Sequence, residues 1–272
     1  LRPQPRLPGR RLMPLGRDQA VLACIRVPKS GSKSLSRIVA EAFPDRTAFY
    51  LPDTLRREAM ISRWQAFRMW RSQAQNLSKH LKVLSLDAAL AKIDAAVRPG
   101  DLLIGGHFDQ PAVQSGLRLP VQSIVLLRDP AERARSDYNY ARQGFLKKKP
   151  WQRFDAHLTA QAAGRYGFEG FLDYQLEHPE VFGDLASAYL GWLPGQPLDA
   201  VLPTIWCWGV LEQADAFATR MSEMTGRPLT LSQTNVTRQV EVLDISAAER
   251  RKIERLYARD LELHARCRED YG

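Results

Sequence analysis

Lys29, Ser30, Gly31, Ser32, Lys33 and Ser34 form a small, basic, hydroxyl-rich turn between an apolar run and a helical pattern. Such a turn suits an anion. The first N–H groups of a helix have no intrahelical partner, and the helix dipole favours a phosphate there. Glycine lets the backbone approach closely, and the two lysines add charge. About a hundred residues on, Arg128 ends a second apolar run, and Ser136 lies eight positions further, two turns into a helix. A guanidinium and a hydroxyl from neighbouring elements can grip one phosphate together. Between these motifs, Gly105-Gly106-His107 places an imidazole at a third run's end. Imidazole is the side chain best suited to proton transfer near neutral pH. Each feature also has an ordinary reading. The turn could carry incidental lysines, Arg128 could pair with Asp129 or Glu132, and a lone histidine is often a hydrogen-bonded structural residue.

The elements that must position these groups are read from hydrophobic periodicity and punctuation. A buried strand is expected over 21–27, ended by Pro28, which has no N–H for a sheet ladder. A helix follows over 34–43, with Leu35, Ile38, Val39 and Ala42 at helical spacing. Residues 50–52 read as extended, 53–80 as mostly helical with Asp53 or Thr54 as N-cap, and 87–97 as a helix ended by Arg98-Pro99-Gly100. Further strands are expected over 101–107, 122–127 and 204–210. Asp129 and Pro130 fit the N-cap and first position of a helix running to about 144. Helices are also expected over 151–163, 168–176, 212–225 and 246–268. Alternating strands and helices indicate an α/β fold with a mainly parallel central sheet flanked by helices. Ligands of such sheets bind beyond the carboxyl ends of strands, where the Lys29 turn, His107 and Arg128 all fall.

Composition narrows the partners. The chain has 272 residues, 44% hydrophobic, and a net charge of +9. That suits a globular core and anionic ligands. Cys24, Cys207 and Cys267 lie far apart, which favours neither a zinc site nor a disulfide framework, and Cys24 reads as a buried, inert thiol. No His/Cys/Asp cluster has metal-ligand spacing. Residues 1–19 read as a flexible basic arm without the apolar segment of a signal peptide, and 20–272 as a single domain. No apolar run approaches the ~20 residues that span a membrane. His80, His157, His178 and His264 read as helix or surface residues, with His157 in reserve as a base. The run Lys147–Lys149, with Arg142 and Arg153, reads either as a polyanion contact or as a solvated charge run.

The turn is not a Walker A sequence, because GxxxxGK[ST] is absent. Pro28-Lys29-Ser30-Gly31-Ser32 with Leu35 instead resembles the 5′-phosphosulfate loop of sulfotransferases that use 3′-phosphoadenosine 5′-phosphosulfate (PAPS). Arg128-Asp129-Pro130 with Arg133, Ser136 and Tyr138 resembles their 3′-phosphate motif. Gly105-Gly106-His107-Phe108, the Arg-Asp-Pro-x-x-Arg helix with Tyr138 and Tyr140, and the C-terminal Asn235-Val236-Thr237, Tyr257 and Asp260-Leu261-Glu262-Leu263 are similar to the carbohydrate branch, particularly heparan sulfate and uronyl 2-O-sulfotransferases. The resemblance implies a P-loop-like sheet, no metal, and PAPS as co-substrate with adenosine 3′,5′-bisphosphate (PAP) as product. It implies donor contacts from Lys29, Ser30, Gly31, Ser32, Lys33, Ser34, Arg128 and Ser136, with Thr237 and Arg238 from the C-terminal loop. It implies His107 as base and Lys29 as catalytic cation. Arg135, Tyr138, Asn139 and Arg142 are expected to meet a carbohydrate acceptor, anionic or neutral, with no nucleic acid as partner. The Arg/Ala/Leu bias suggests a bacterial, cytoplasmic member, the alternative being a Golgi-lumen protein whose anchor lies outside this sequence. The alternatives for function are an aryl or protein-tyrosine sulfotransferase, a P-loop nucleotide kinase and a non-catalytic polyanion-binding module.

Overall fold

The computed structural model describes residues 19–51, 86–153, 158–231 and 244–271. The elements in chain order are β1 (Val21–Ile25), α1 (Ser32–Ala42), β2 (Ala48–Leu51), α2 (Leu86–Asp94), β3 (Leu102–Gly105), α3 (Gln110–Gly116), β4 (Val121–Leu127) and α4 (Pro130–Leu146). They continue with α5 (Pro150–Arg153), α6 (Leu158–Arg165), α7 (Phe168–Leu176), α8 (Pro179–Phe182), α9 (Leu185–Tyr189), β5 (Ile205–Val210), α10 (Ala214–Thr225), α11 (Ala247–Leu256) and α12 (Ala258–Glu269).

The strands form one five-stranded sheet of order β2-β3-β1-β4-β5, and all four pairings are parallel. Every residue of β1, β4 and β5 is buried, as the largely apolar strands of a doubly covered parallel sheet should be, with Gln122 and Ser123 as buried polar residues of β4. Alternate residues serve opposite faces. Val21, Ala23 and Ile25 join a core with α2, α3 and α12 through Leu90, Val113 and Leu263. Leu22 and Cys24 join a core with α1 and α10 through Ile38 and Phe217. A third core lies among α4, α6, α7 and α11, centred on Tyr138, Phe171 and Ile253.

The layer order is as expected, and the differences are local. Helix α3 stands in a stretch to which the sequence pattern assigns no element. Asp109 caps it by accepting from the Ala112 N–H at 2.7 Å, with Pro111 in the first turn. The short helices α8 and α9 were also not anticipated. The single helix expected over 246–268 is two helices that break at Tyr257 (φ −125°, ψ 37°). Asp184, 75 residues away from Arg259, accepts from the Arg259 N–H at 2.8 Å and starts the second helix from outside. The expected helix over 53–80 lies outside the described residues.

Gly105 ends β3 at φ +92°, and a Cβ there would lie 2.4 Å from the Leu51 carbonyl oxygen. A backbone atom cannot step aside, and a left-handed non-glycine residue adds about 1–3 kcal/mol of strain. Gly105→Ala is therefore expected to lower the melting temperature by about 5 °C or more in thermal denaturation. A shift within about 1 °C would contradict this account of the β3 exit.

Candidate active site

Strand β1 leads toward β2 and β3 on one side, whereas β4 leads to β5 on the other. The crevice between the carboxyl ends of β1 and β4 is thus the switch point of the sheet, the usual ligand position in this architecture. The Lys29 turn leaves β1 into that crevice, and Arg128 leaves β4 into it.

The turn is built for close backbone approach. Lys29 (φ +66°) and Gly31 (φ +75°) are both left-handed. Gly31 is the N-cap of α1, and no side chain caps that end of the helix. A Cβ at Gly31 would sit 3.1 Å from Leu211 Cδ1 and 3.2 Å from Leu126 Cδ2. Ser32 Oγ donates to the Val27 carbonyl at 2.9 Å, closing the turn. Ser30 is 2% exposed, and its Oγ has no hydrogen-bond partner among the described residues. A buried hydroxyl in a left-handed nest at a helix N-terminus fits an anionic group bound there. Ser34 is buried in the first turn of α1, and Lys33 is exposed.

Arg128 Nη1 donates to the Lys29 carbonyl at 3.3 Å, which joins the two motifs directly. A non-glycine residue at φ +66° is strained, and this contact is one of those holding it. The Arg128 guanidinium also lies 3.6 Å from Glu132, which in turn pairs with Arg135. The carboxylate pairing weighed from sequence is thus present alongside the contact to the turn. Burial lowers the Arg128 pKa, with Glu132 and Glu212 opposing, and guanidinium stays charged regardless. Burial also pushes the Lys29 ammonium below the usual lysine range, with Asp137 opposing and Arg128 reinforcing.

His107 follows the Gly105–Gly106 exit of β3, and its Nδ1 lies 3.0 Å from the Arg26 carbonyl, three residues before Lys29. A carbonyl only accepts, so Nδ1 carries the proton in the neutral ring and Nε2 carries the lone pair. The residue is exposed. Asp129 Oδ1 accepts from the Ala131 and Glu132 N–H groups at 2.9 and 3.0 Å, and Pro130 opens α4, as the sequence suggests. Ser136 lies two turns into α4, half-buried.

Two of the acceptor candidates are elsewhere than expected. Ala134, Tyr138 and Ala141 form the stripe of α4 that packs into the third core. Tyr138 is 1% exposed, with Phe168 and Phe171 at 5.4 and 5.5 Å, and its hydroxyl accepts from Arg142 at 2.9 Å. Asn139 is also buried. These two build the wall, not the open surface, because the core-facing stripe passes through that part of the helix. Arg142 additionally reaches the Ala163 carbonyl, and Arg153 bonds the Lys148 and Leu146 carbonyls. Both therefore serve local structure near the C-terminus of α4. Thr237, Arg238 and His157 lie outside the described residues.

A family model described as sulfotransferase domain matches residues 21–204, more than half of the chain. The chain belongs to the sulfotransferase domain family. It is thereby a transferase of sulfuryl groups, and its five-stranded parallel sheet agrees with that assignment. The search of curated proteins found no significant match. Among the described residues no helix is long and apolar enough to cross a membrane, and no group of three or more His, Cys, Asp or Glu could hold a metal ion.

Several supports of this sulfotransferase site were not read from sequence. Glu212, just beyond β5, accepts from the Asp129 N–H at 3.0 Å, and its other oxygen lies 3.4 Å from His264 Nε2. Despite burial, which raises it, the bond from His264 and the Asp129 N–H bring the Glu212 carboxyl below its usual range. His264, read from sequence as a helix or surface residue, lies in α12, is 6% exposed and belongs to this chain of contacts. No local signal predicts it, since Glu212 and His264 are 52 residues apart. Arg133 of the Arg-Asp-Pro-x-x-Arg motif forms a buried pair with Asp260 at 3.0 Å.

Proposed function

We propose that this sulfotransferase moves the sulfuryl group of PAPS to a hydroxyl of a carbohydrate. The observation that carries the reading is the junction of the three strand ends: Arg128 bonded to the Lys29 carbonyl, and His107 bonded to the Arg26 carbonyl. One basic crevice thereby gathers an anion nest, a second cationic group and a base. The orphaned Ser30 hydroxyl and the absence of a side-chain cap at the N-terminus of α1 support a 5′-phosphosulfate on Lys29–Ser34. Arg128 and Ser136 would hold the 3′-phosphate, with Thr237 and Arg238 as further contacts. PAPS supplies an activated sulfuryl group on a phosphate that leaves as an anion. His107 Nε2 takes the acceptor hydroxyl proton, and Lys29 lies where negative charge builds on the leaving oxygen. Positioning within the crevice supplies the rest of the acceleration. The carbohydrate acceptor rests on the Gly-Gly-His exit and the α4 motif, and Arg135 is the acceptor candidate that stays near the crevice through Glu132.

Calorimetry with PAP and adenosine 5′-monophosphate tests the donor. Arg128→Ala is expected to weaken PAP roughly 10- to 100-fold, the range for a charge-assisted hydrogen bond, and the monophosphate far less. Equal losses would remove Arg128 from the 3′-phosphate. A labelled-donor screen over glycans, phenols and tyrosine peptides tests the acceptor. Transfer to phenols or peptides alone would overturn the carbohydrate reading.

A further inference from the structure

Tyr140 is 61% exposed, yet its ring face carries Lys29 Nζ at 4.0 Å from the centroid. It stands on α4 four residues after Ser136 and three after Asp137, so the three share one side of the helix. Lys29 is thus held at two points. Arg128 fixes its carbonyl, and the Tyr140 ring and the Asp137 charge act on its tip. A lysine stem is otherwise free to rotate, and a freely rotating ammonium is a poor electrostatic partner for one particular oxygen.

We propose that Tyr140 is a positioning residue whose π face holds the Lys29 ammonium in the crevice, so that the cation meets the 5′ anion of the nucleotide already oriented. The identity of that anion rests on the donor reading above; the contact between the two side chains does not. The ring face makes the contact, so the phenol hydroxyl has no part in it. Because Tyr140 acts through Lys29, its effect disappears when Lys29 is absent.

The test combines Tyr140→Phe and Tyr140→Leu with wild-type Lys29 and with Lys29→Ala. In calorimetry, Tyr140→Leu is expected to weaken PAP roughly 2- to 30-fold, the range of a cation–π contact. Tyr140→Phe should bind PAP like the wild type. In the Lys29→Ala background Tyr140→Leu should change nothing further, and adenosine 3′-monophosphate, which lacks the 5′ group, should bind all variants at that position alike. A loss of equal size in both backgrounds, or a Phe variant as weak as the Leu variant, overturns the proposal. A second measurement needs no nucleotide. Acetic anhydride labelling of the free protein, read by mass spectrometry, should find the Lys29 amine more reactive in Tyr140→Leu and unchanged in Tyr140→Phe. Identical reactivity in all three proteins overturns the contact. Failure of the wild type to bind PAP would instead sink the donor reading, leaving the labelling to decide the role of Tyr140.

Discussion

His107→Ala is expected to lower sulfuryl transfer by roughly 10²- to 10⁴-fold, the contribution of a positioned general base, while PAP affinity stays within about 2-fold of the wild type. The split follows from the way the ring is held. Nδ1 is engaged by the Arg26 carbonyl at 3.0 Å, so the neutral ring offers its lone pair at Nε2. The alanine variant removes that lone pair and leaves the turn, the N-terminus of α1 and Arg128 in place. Asparagine at 107 would keep a donor for the Arg26 carbonyl without a base, and should be as inactive as alanine. Turnover unchanged in either variant would dismiss the base assignment, and a parallel collapse of PAP binding would make His107 a structural part of the nucleotide site.

The second large effect lies away from the crevice. Asp260 is 3% exposed and accepts from Arg133 at 3.0 Å, from the Ala186 and Ser187 N–H groups at 3.1 and 2.8 Å, and from Ser187 Oγ at 2.8 Å. Arg133 lies over the Tyr257 ring at 4.4 Å, and the Tyr257 hydroxyl donates to Gln175 at 2.8 Å. Removing the carboxylate leaves a buried guanidinium and three donors without their acceptor. Asp260→Ala should therefore cost about 3–5 kcal/mol, a fall of roughly 6–20 °C in melting temperature. Asp260→Asn, which keeps one acceptor oxygen, should fall between. A melting temperature within about 2 °C of the wild type for the alanine variant would show that the pair does not hold α4 against α12.

The strands and the three chemical groups at their ends were legible because each is announced locally. Continuous apolar runs mark doubly covered strands, and Pro28, Gly105-Gly106 and Asp129-Pro130 punctuate them. The thiol of Cys24 was legible for the same reason: it lies in β1, fully buried, and burial pushes it up to about 12. What was not legible depends on partners far along the chain. Helix α12 starts where Asp184 caps it, His264 is buried by Glu212, and Arg133 turns inward toward Asp260. A tyrosine in the Arg-Asp-Pro-x-x-Arg motif suggests a ligand contact, whereas the position of Tyr138 in the Ala134–Ala141 stripe places its ring in a core. Tyr140, two residues on, lies off that stripe and reaches Lys29.

The Arg133–Asp260 pair spans 127 residues, and that span has a consequence for synthesis. At about 5–20 residues per second, roughly 6–25 s separate the two partners on the ribosome. During that interval the nascent chain already contains β1, β4 and α4, but the guanidinium of Arg133 has no counter-charge and the third core lacks Tyr257. Pairing of such high contact order comes late in folding. The crevice wall of this sulfotransferase is therefore completed from the C-terminal side, after Phe168 and Phe171 have already met the Tyr138 side of α4.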